Sequence, residues 1–372
     1  ASVTEDAGQV EASGTTGGTG TTGGTTAAGN LTVSLAADTP AGGYALASAS
    51  RLPFTKVVFK AGDADVTIDS FKVKRGSSPA TDADFATLNV VTPEGSLLND
   101  SGKTLNSDHE VTFTENITVP ANTSKTYTLV GNMAAAATMV GGNVPSLSVT
   151  SVTLVGTGTV TGLPVEGNKL TTNDSLTLSS ATFAEGSAVG SVTKQVGATN
   201  VLVASVKLTN GTTGSDAKKI QMEKLTLYNA GTVADADIAS FKLKYNNVTL
   251  ATASMVNKYV NFDLSACGDD CILDKGYDRT YDVFADLTAG SGRNVNLDLQ
   301  YATHAAVKDV TNGVYITPTD NATAMTNTIT VSQGKINVTK VNNVPAGNIP
   351  KNATGIELAS WNFNVIGEPI DV

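Results

Sequence analysis

Thr81-Asp82-Ala83-Asp84-Phe85-Ala86-Thr87-Leu88-Asn89-Val90 returns later in the chain as Ala234-Asp235-Ala236-Asp237-Ile238-Ala239-Ser240-Phe241-Lys242-Leu243. Aligned without a gap, both copies place an acidic turn directly before a stretch in which apolar and polar residues alternate. The offset is 237 − 84, or 153 residues, the size of a domain and not of a solenoid repeat. A second pair, Ser124-Lys125-Thr126-Tyr127 and Asp278-Arg279-Thr280-Tyr281, gives 281 − 127, or 154. Two independent offsets that agree predict a duplicated domain.

Working outward, the alternation is that of strands. Leu31, Val33 and Leu35 alternate with Thr and Ser, Val66 and Ile68 with Thr and Asp, and Phe71 and Val73 with Lys. Gly, Pro, Asn and Asp clusters separate such runs, and no stretch sustains a 3.6-residue period. Met133–Thr138 is at most a helical turn. The expected fold is all-β: tandem antiparallel β-sandwich domains of immunoglobulin-like type, joined end to end.

The second pass along the chain is expected to begin near Asp174. Leu176-Thr177-Leu178 mirrors Leu31-Thr32-Val33, Lys224-Leu225-Thr226-Leu227 mirrors the strand around Phe71, and Asn294-Val295 mirrors Asn143-Val144. A third pass opens at Lys335-Ile336-Asn337-Val338 and reaches Trp361, Phe363 and Val365. The expected domains are residues 1–29 as a flexible Gly/Thr linker, 30–173 and 174–330 as sandwiches, and 331–372 as the start of a third. So short a piece leaves strand edges unpaired. Continuation past Val372 and completion of a neighbour by strand addition are the two ways to cover them. Ala1, with no initiator Met, leads to the expectation that the sequence is a processed or excerpted piece.

Of the 372 residues, 34 are acidic and 24 basic, a formal charge of −10. Nucleic acid is excluded as a partner, because phosphate binding needs clustered Lys and Arg. Charged residues make up 16%, against about a quarter in ordinary domains; Thr, Ser and Asn supply the wetted faces instead. No apolar run approaches the ~18 residues of a membrane helix.

Few residues suggest chemistry. Asp82 with Asp84, and Asp235 with Asp237, have two open readings: a calcium site, since calcium takes carboxylate and carbonyl oxygens, and capping of free backbone N–H groups before a strand. Calcium is the only cofactor the sequence suggests. Cys267-Gly268-Asp269-Asp270-Cys271 reads as a disulfide closing a tight turn, worth about 2 kcal/mol by loop entropy. Asp274 and Asp278 make the same region acidic, and a metal or redox pair is the competing reading. Gly18-x-Gly20-x-x-Gly23 has no strand before it and no helix after it. Ser215-Asp216-Ala217-Lys218 lacks the companion motifs of the penicillin-binding enzymes. Both are coincidences. His109 and His304 read as surface residues; Phe71, Tyr127, Phe241, Tyr281 and Trp361 read as core, with an aromatic platform for carbohydrate as the competing reading. Asn-x-Thr sequons, among them Asn30, Asn210 and Asn352, arise by chance in so Thr-rich a chain. No catalytic residue is expected.

The Gly/Thr tract, Leu31-Thr32-Val33-Ser34-Leu35-Ala36-Ala37-Asp38-Thr39-Pro40-Ala41-Gly42, the acidic turn and the closing Gly162-Leu163-Pro164-Val165-Glu166-Gly167-Asn168 together resemble the repetitive surface-layer-like proteins of candidate phyla radiation (Patescibacteria) bacteria. The resemblance covers residues 30–172 well and 174–330 more loosely; the second copy lacks the closing motif. It implies tandem immunoglobulin-like domains outside the cell, at its surface, assembling with copies of themselves into an array (S-layer). The alternative is an adhesin or glycan-binding stalk whose tip lies elsewhere, with a cell-wall or surface glycan as partner.

Overall fold

A computed structural model of the chain describes residues 29–76, 79–99, 101–186, 190–213, 218–320, 328–341 and 347–366. The tract before Gly29 and Ser215–Ala217 lie outside the described residues. Among those described there is no α-helix, and the alternating runs at Leu31–Leu35 and Val66–Arg75 are strands.

The first unit is a sandwich. One sheet has the order Val160–Thr161, Leu31–Leu35, Leu52–Ala61, Ser124–Met133, Phe85–Val91. The other runs Val165–Glu166, Leu147–Leu154, Val66–Arg75, Glu110–Phe113, with Ile117–Val119 also paired to Val66–Arg75. Inward residues of the two sheets meet in an aromatic chain. The Phe59 ring lies 5.8 Å from Phe71 and 5.7 Å from Tyr127, and Phe71 stacks on Phe113 at 5.2 Å. Each such ring removed from water contributes about 1.5–3 kcal/mol. The closing motif folds back on the start of the unit: Asn168 Nδ2 donates to the Pro40 carbonyl at 2.7 Å. The two stretches that carry the resemblance therefore pack as a pair.

The second unit repeats this topology. Ala181–Glu185, Val201–Asn210, Asp278–Leu287 and Ile238–Tyr245 lie side by side in the same order as their counterparts, and Thr319–Asp320 joins parallel at the edge as Val160–Thr161 does. Even the irregularities recur. The register of Leu52–Ala61 against Ser124–Met133 slips between Pro53 and Thr55, and that of Val201–Asn210 against Asp278–Leu287 slips between Leu202 and Ala204. Bulges persist when the surrounding packing requires them, so matched bulges argue for one fold copied and not for two similar ones. The facing sheet is built on Ile220–Asn229, flanked by Tyr259–Asp263 and Ala305–Asp309. A hairpin strand, Val248–Ala253, is added at the edge.

Three expectations need correction. Leu176-Thr177-Leu178 is not the first strand of the second unit; Ala181–Glu185 is. The earlier stretch belongs to the connection between units, where the buried carboxylate of Asp309 accepts from Ser179 N at 2.8 Å and Ser179 Oγ at 2.9 Å and holds the chain out of the sheet. Asn143 corresponds to Arg293, not Asn294. Gly142 N donates to Thr172 O and Thr172 N to Asn143 O, just as Gly292 N donates to Val331 O and Val331 N to Arg293 O. Trp361 is not core. It lies on the hairpin of Lys335–Val341 and Ser360–Ile366, with 54% of its surface exposed, beside the outward-facing Phe363, Val338 and Ile336. The last strand of the second unit, Ile329–Ser332, straddles the expected boundary at residue 330. Met133–Thr138 ends a strand and makes one turn, closed by Thr138 N donating to Ala135 O.

Candidate functional site

Both acidic repeats form a single 3₁₀ turn, Asp82–Asp84 and Asp235–Asp237, that delivers the chain into the next strand. The second Asp does the same work in each. Asp84 Oδ2 accepts from Thr81 N at 2.8 Å, and Asp237 Oδ2 from Ala234 N at 2.7 Å. The carbonyl of that Asp then accepts from the end of the central strand, from Ala134 N in the first unit and from Thr288 N in the second. The side chains diverge from there. Asp84, fully buried, meets the neutral Nδ2 of Asn143 at 2.9 Å, while Asp237 is paired with Arg293 Nη1 at 2.6 Å.

The first Asp of each turn is also engaged. Asp82 Oδ1 accepts from Arg75 Nε at 2.6 Å, and its Oδ2 lies 2.7 Å from His109 Nδ1. Burial works to raise the Asp82 carboxyl, but Arg75 and His109 outweigh it and hold the group below its ordinary value. Asp235 accepts from Asn257 N at 2.6 Å and Lys258 N at 3.0 Å. Asp84, Asp235 and Asp237 thus cap backbone N–H groups, Asp82 instead binds the side chains of Arg75 and His109, and Asp82 and Asp237 each face a guanidinium cation. Among the described residues no group of three or more His, Cys, Asp or Glu is placed to hold a metal ion.

Cys267 and Cys271 are joined by a disulfide with Cα atoms 5.8 Å apart. The loop serves as a backbone acceptor: Asp269 O receives Arg279 Nη1 at 2.6 Å and Asp270 O receives Tyr281 Oη at 3.2 Å. Asp274 pairs with Lys219 at 3.0 Å and Asp278 with Lys207 at 3.4 Å. Phe71, Tyr127, Phe241 and Tyr281 are buried core residues. His304, expected at the surface, is buried as well, edge-on to Tyr259 and Tyr301. Asn210 is fully buried, with its side chain bonded to Lys218 O and Leu273 O, and so cannot carry a glycan.

The two units meet in a junction that sequence reasoning did not find. Ala49–Ser50 of the first unit adds to the second as an edge strand, antiparallel to Val314–Ile316. Ser48 N donates to Ala134 O, and Arg51 N to Asn132 Oδ1 at 2.9 Å, which anchors this loop to its own unit. Arg51 Nη2 crosses the junction to the Thr303 carbonyl. From the other side Lys224 Nζ donates to Ser96 Oγ at 2.8 Å. Between these contacts lies a cleft of about 310 Å³ lined by Arg51 and Ser96 of the first unit and Lys224, Tyr259, Asn261 and His304 of the second. Burial draws the Arg51 guanidinium down to about 10, so it stays a cation at neutral pH. Burial and then Arg51 lower Lys224, with Asp263 opposing them. A signal was present in the sequence. Ser48-Ala49-Ser50-Arg51 aligns with Gly197-Ala198-Thr199-Asn200 at 200 − 51, or 149 residues, and Arg replaces Asn at the end of the loop.

No protein-family model and no curated protein sequence matches the chain. Among solved structures it is similar to CBD12 from CALX1.2 (7% identity, 76% of this chain and 82% of that one, TM-score 0.20). It is also similar to a putative membrane anchored protein from Corynebacterium diphtheriae (8% identity, 82% and 59%, TM-score 0.18). A third similarity is to fibronectin(III)-like modules of Clostridium thermocellum CbhA (9% identity, 81% and 94%, TM-score 0.17). Likenesses this slight carry nothing about function to this chain.

Proposed function

We propose that the chain is a structural protein of the cell surface, whose repeated β-sandwich units propagate end to end and assemble into an extracellular array such as a surface layer. One observation carries the reading. The contact between units is head to tail, with different surfaces on its two sides, and the second unit retains the loop with which the first has docked. The first unit gives Ala49–Ser50 to the edge strand Val314–Ile316 of the second. The second unit keeps the corresponding loop, Ala198–Thr199, undocked, and the first offers Val165–Glu166 as the outer strand of its own facing sheet. A contact of this kind has no point at which it closes on itself unless the rotation happens to make a ring, so it extends. Pairing through backbone groups also suits an acidic chain with few charges to spend on lateral contacts.

Calcium bridging gains no support from the acidic turns, whose carboxylates already accept hydrogen bonds, and it enters as an arm of the test. The full chain at high concentration, with calcium and with a chelator, is followed by sedimentation and electron microscopy. Filaments or sheets in which a unit-length repeat is visible are expected. A monodisperse monomer under every condition overturns the proposal, and arrays that dissolve in chelator return calcium to it.

A further inference from the structure

We propose that the cleft at the junction of the two units binds an anionic sugar, of the uronate class, through Arg51 and Lys224. The chain carries a formal −10, yet two partly buried cations line one cleft and none of the lining residues is Asp or Glu. The Arg51 charge disfavours the charge on Lys224, an effect that Asp263, outside the cleft lining, opposes. Like charges brought together at a concave, partly dehydrated site are most readily relieved by an anion entering it.

Hydrogen bonding points the same way. Arg51, which lines the cleft, spends Nη2 on Thr303 O and keeps further guanidinium N–H donors. Lys224 has one donor on Ser96 Oγ and two more to give. Asn261 accepts from Thr226 Oγ1 at 2.7 Å with its Oδ1, so its Nδ2 is the end left for a ligand. The site therefore offers donors, and a planar carboxylate matches the guanidinium fork. Tyr259, packed against Tyr228 and His304, also lines the cleft and supplies aromatic surface of the kind that sugars contact. A volume of about 310 Å³ sits at the small end of ligand clefts and suits one sugar residue. Because each unit contributes one of the two cations, occupancy ties the units together in a way that neither wall does alone.

The test is calorimetric titration of the full chain with glucuronate, glucose and sulfate at low salt. Saturable glucuronate binding is expected, weakened about tenfold or more by Lys224→Gln, the loss of one charge-assisted hydrogen bond. Arg51→Gln should weaken it by at least as much. Since Arg51 also holds the junction, Lys224→Gln is the deciding variant, read alongside its thermal unfolding curve. Glucuronate should raise the unfolding temperature of the parent chain and not that of Lys224→Gln. Absence of saturable binding overturns the proposal, and so does glucuronate binding that Lys224→Gln leaves unchanged. Glucose bound as tightly as glucuronate removes the role of charge. Sulfate bound as tightly removes the sugar.

Discussion

The loop Ser48–Arg51 in the first unit and Gly197–Asn200 in the second follow one backbone path. Each begins and ends in the left-handed region, at φ of 63° and 48° in the first and 86° and 53° in the second. Each is anchored by its last residue, whose N–H donates to the side chain of the same position on the central strand, Asn132 in one and Asp286 in the other. Their surroundings differ. Ala49 and Ser50, paired with the next unit, are 1% and 5% exposed, whereas Thr199 is exposed and Ala198 only partly covered. Arg51 reaches into the neighbour, while Asn200 Oδ1 accepts from Lys244 Nζ within its own unit. The lesson is that a loop shape can be inherited whole while its last side chain decides whether it docks. The acidic turns show the same division: shared backbone capping, with a neutral partner for Asp84 and a cationic one for Asp237.

The comparison breaks most sharply at those turns. Asp84→Ala leaves the Thr81 N–H and the Asn143 amide without an acceptor at a fully buried site, and should cost about 3 kcal/mol. Asp237→Ala should cost less, about 2 kcal/mol, because Arg293 is half exposed and can turn to water. Urea denaturation of the full chain measures both, and equal losses would show that burial of the turn makes no difference. Reduction of Cys267–Cys271 should remove about 2 kcal/mol from the second unit alone. Hydrogen exchange unit by unit reads the effect, and loss of protection in the first unit would contradict it. Gly290 holds φ at 89° with its missing Cβ 2.9 Å from Asp237 Oδ2. Gly290→Ala should therefore cost about 1–2 kcal/mol by strain and by displacing the carboxylate from Arg293. The smallest effect is expected from exchanging the loop ends. Arg51→Asn should lose about 1 kcal/mol of junction stability and expose residues 174–180 to limited proteolysis. Asn200→Arg should stay within about 0.5 kcal/mol, since that loop has no docked partner. Equal protection of the connection in both variants would separate Arg51 from the junction.

Much of this architecture could be read from residue order. The sandwich fold follows from alternation at Leu31, Val33 and Leu35 and at Phe71 and Val73, because a strand with one wet face must repeat every second residue. Duplication follows from Asp84 and Asp237, whose capping role depends on residues three positions away and so survives in any copy of the segment. Alternation misled at Leu176-Thr177-Leu178, where a connection has the same pattern but is bound to Asp309. At Trp361 an apolar strand position reads as core, although only a packed neighbour makes it so.

The sequence by itself determined what depends on near neighbours: strand periodicity, the capped acidic turns, and a cysteine pair close enough to close a ring. Only the tertiary structure decided what depends on residues far apart, namely that Arg51 meets Thr303, that Lys224 meets Ser96, and that His304 is buried between them. No local pattern encodes such contacts, because each side chain reads as an ordinary polar residue on the wetted face of its own strand or loop. Its environment is set when a second unit arrives to shut out water.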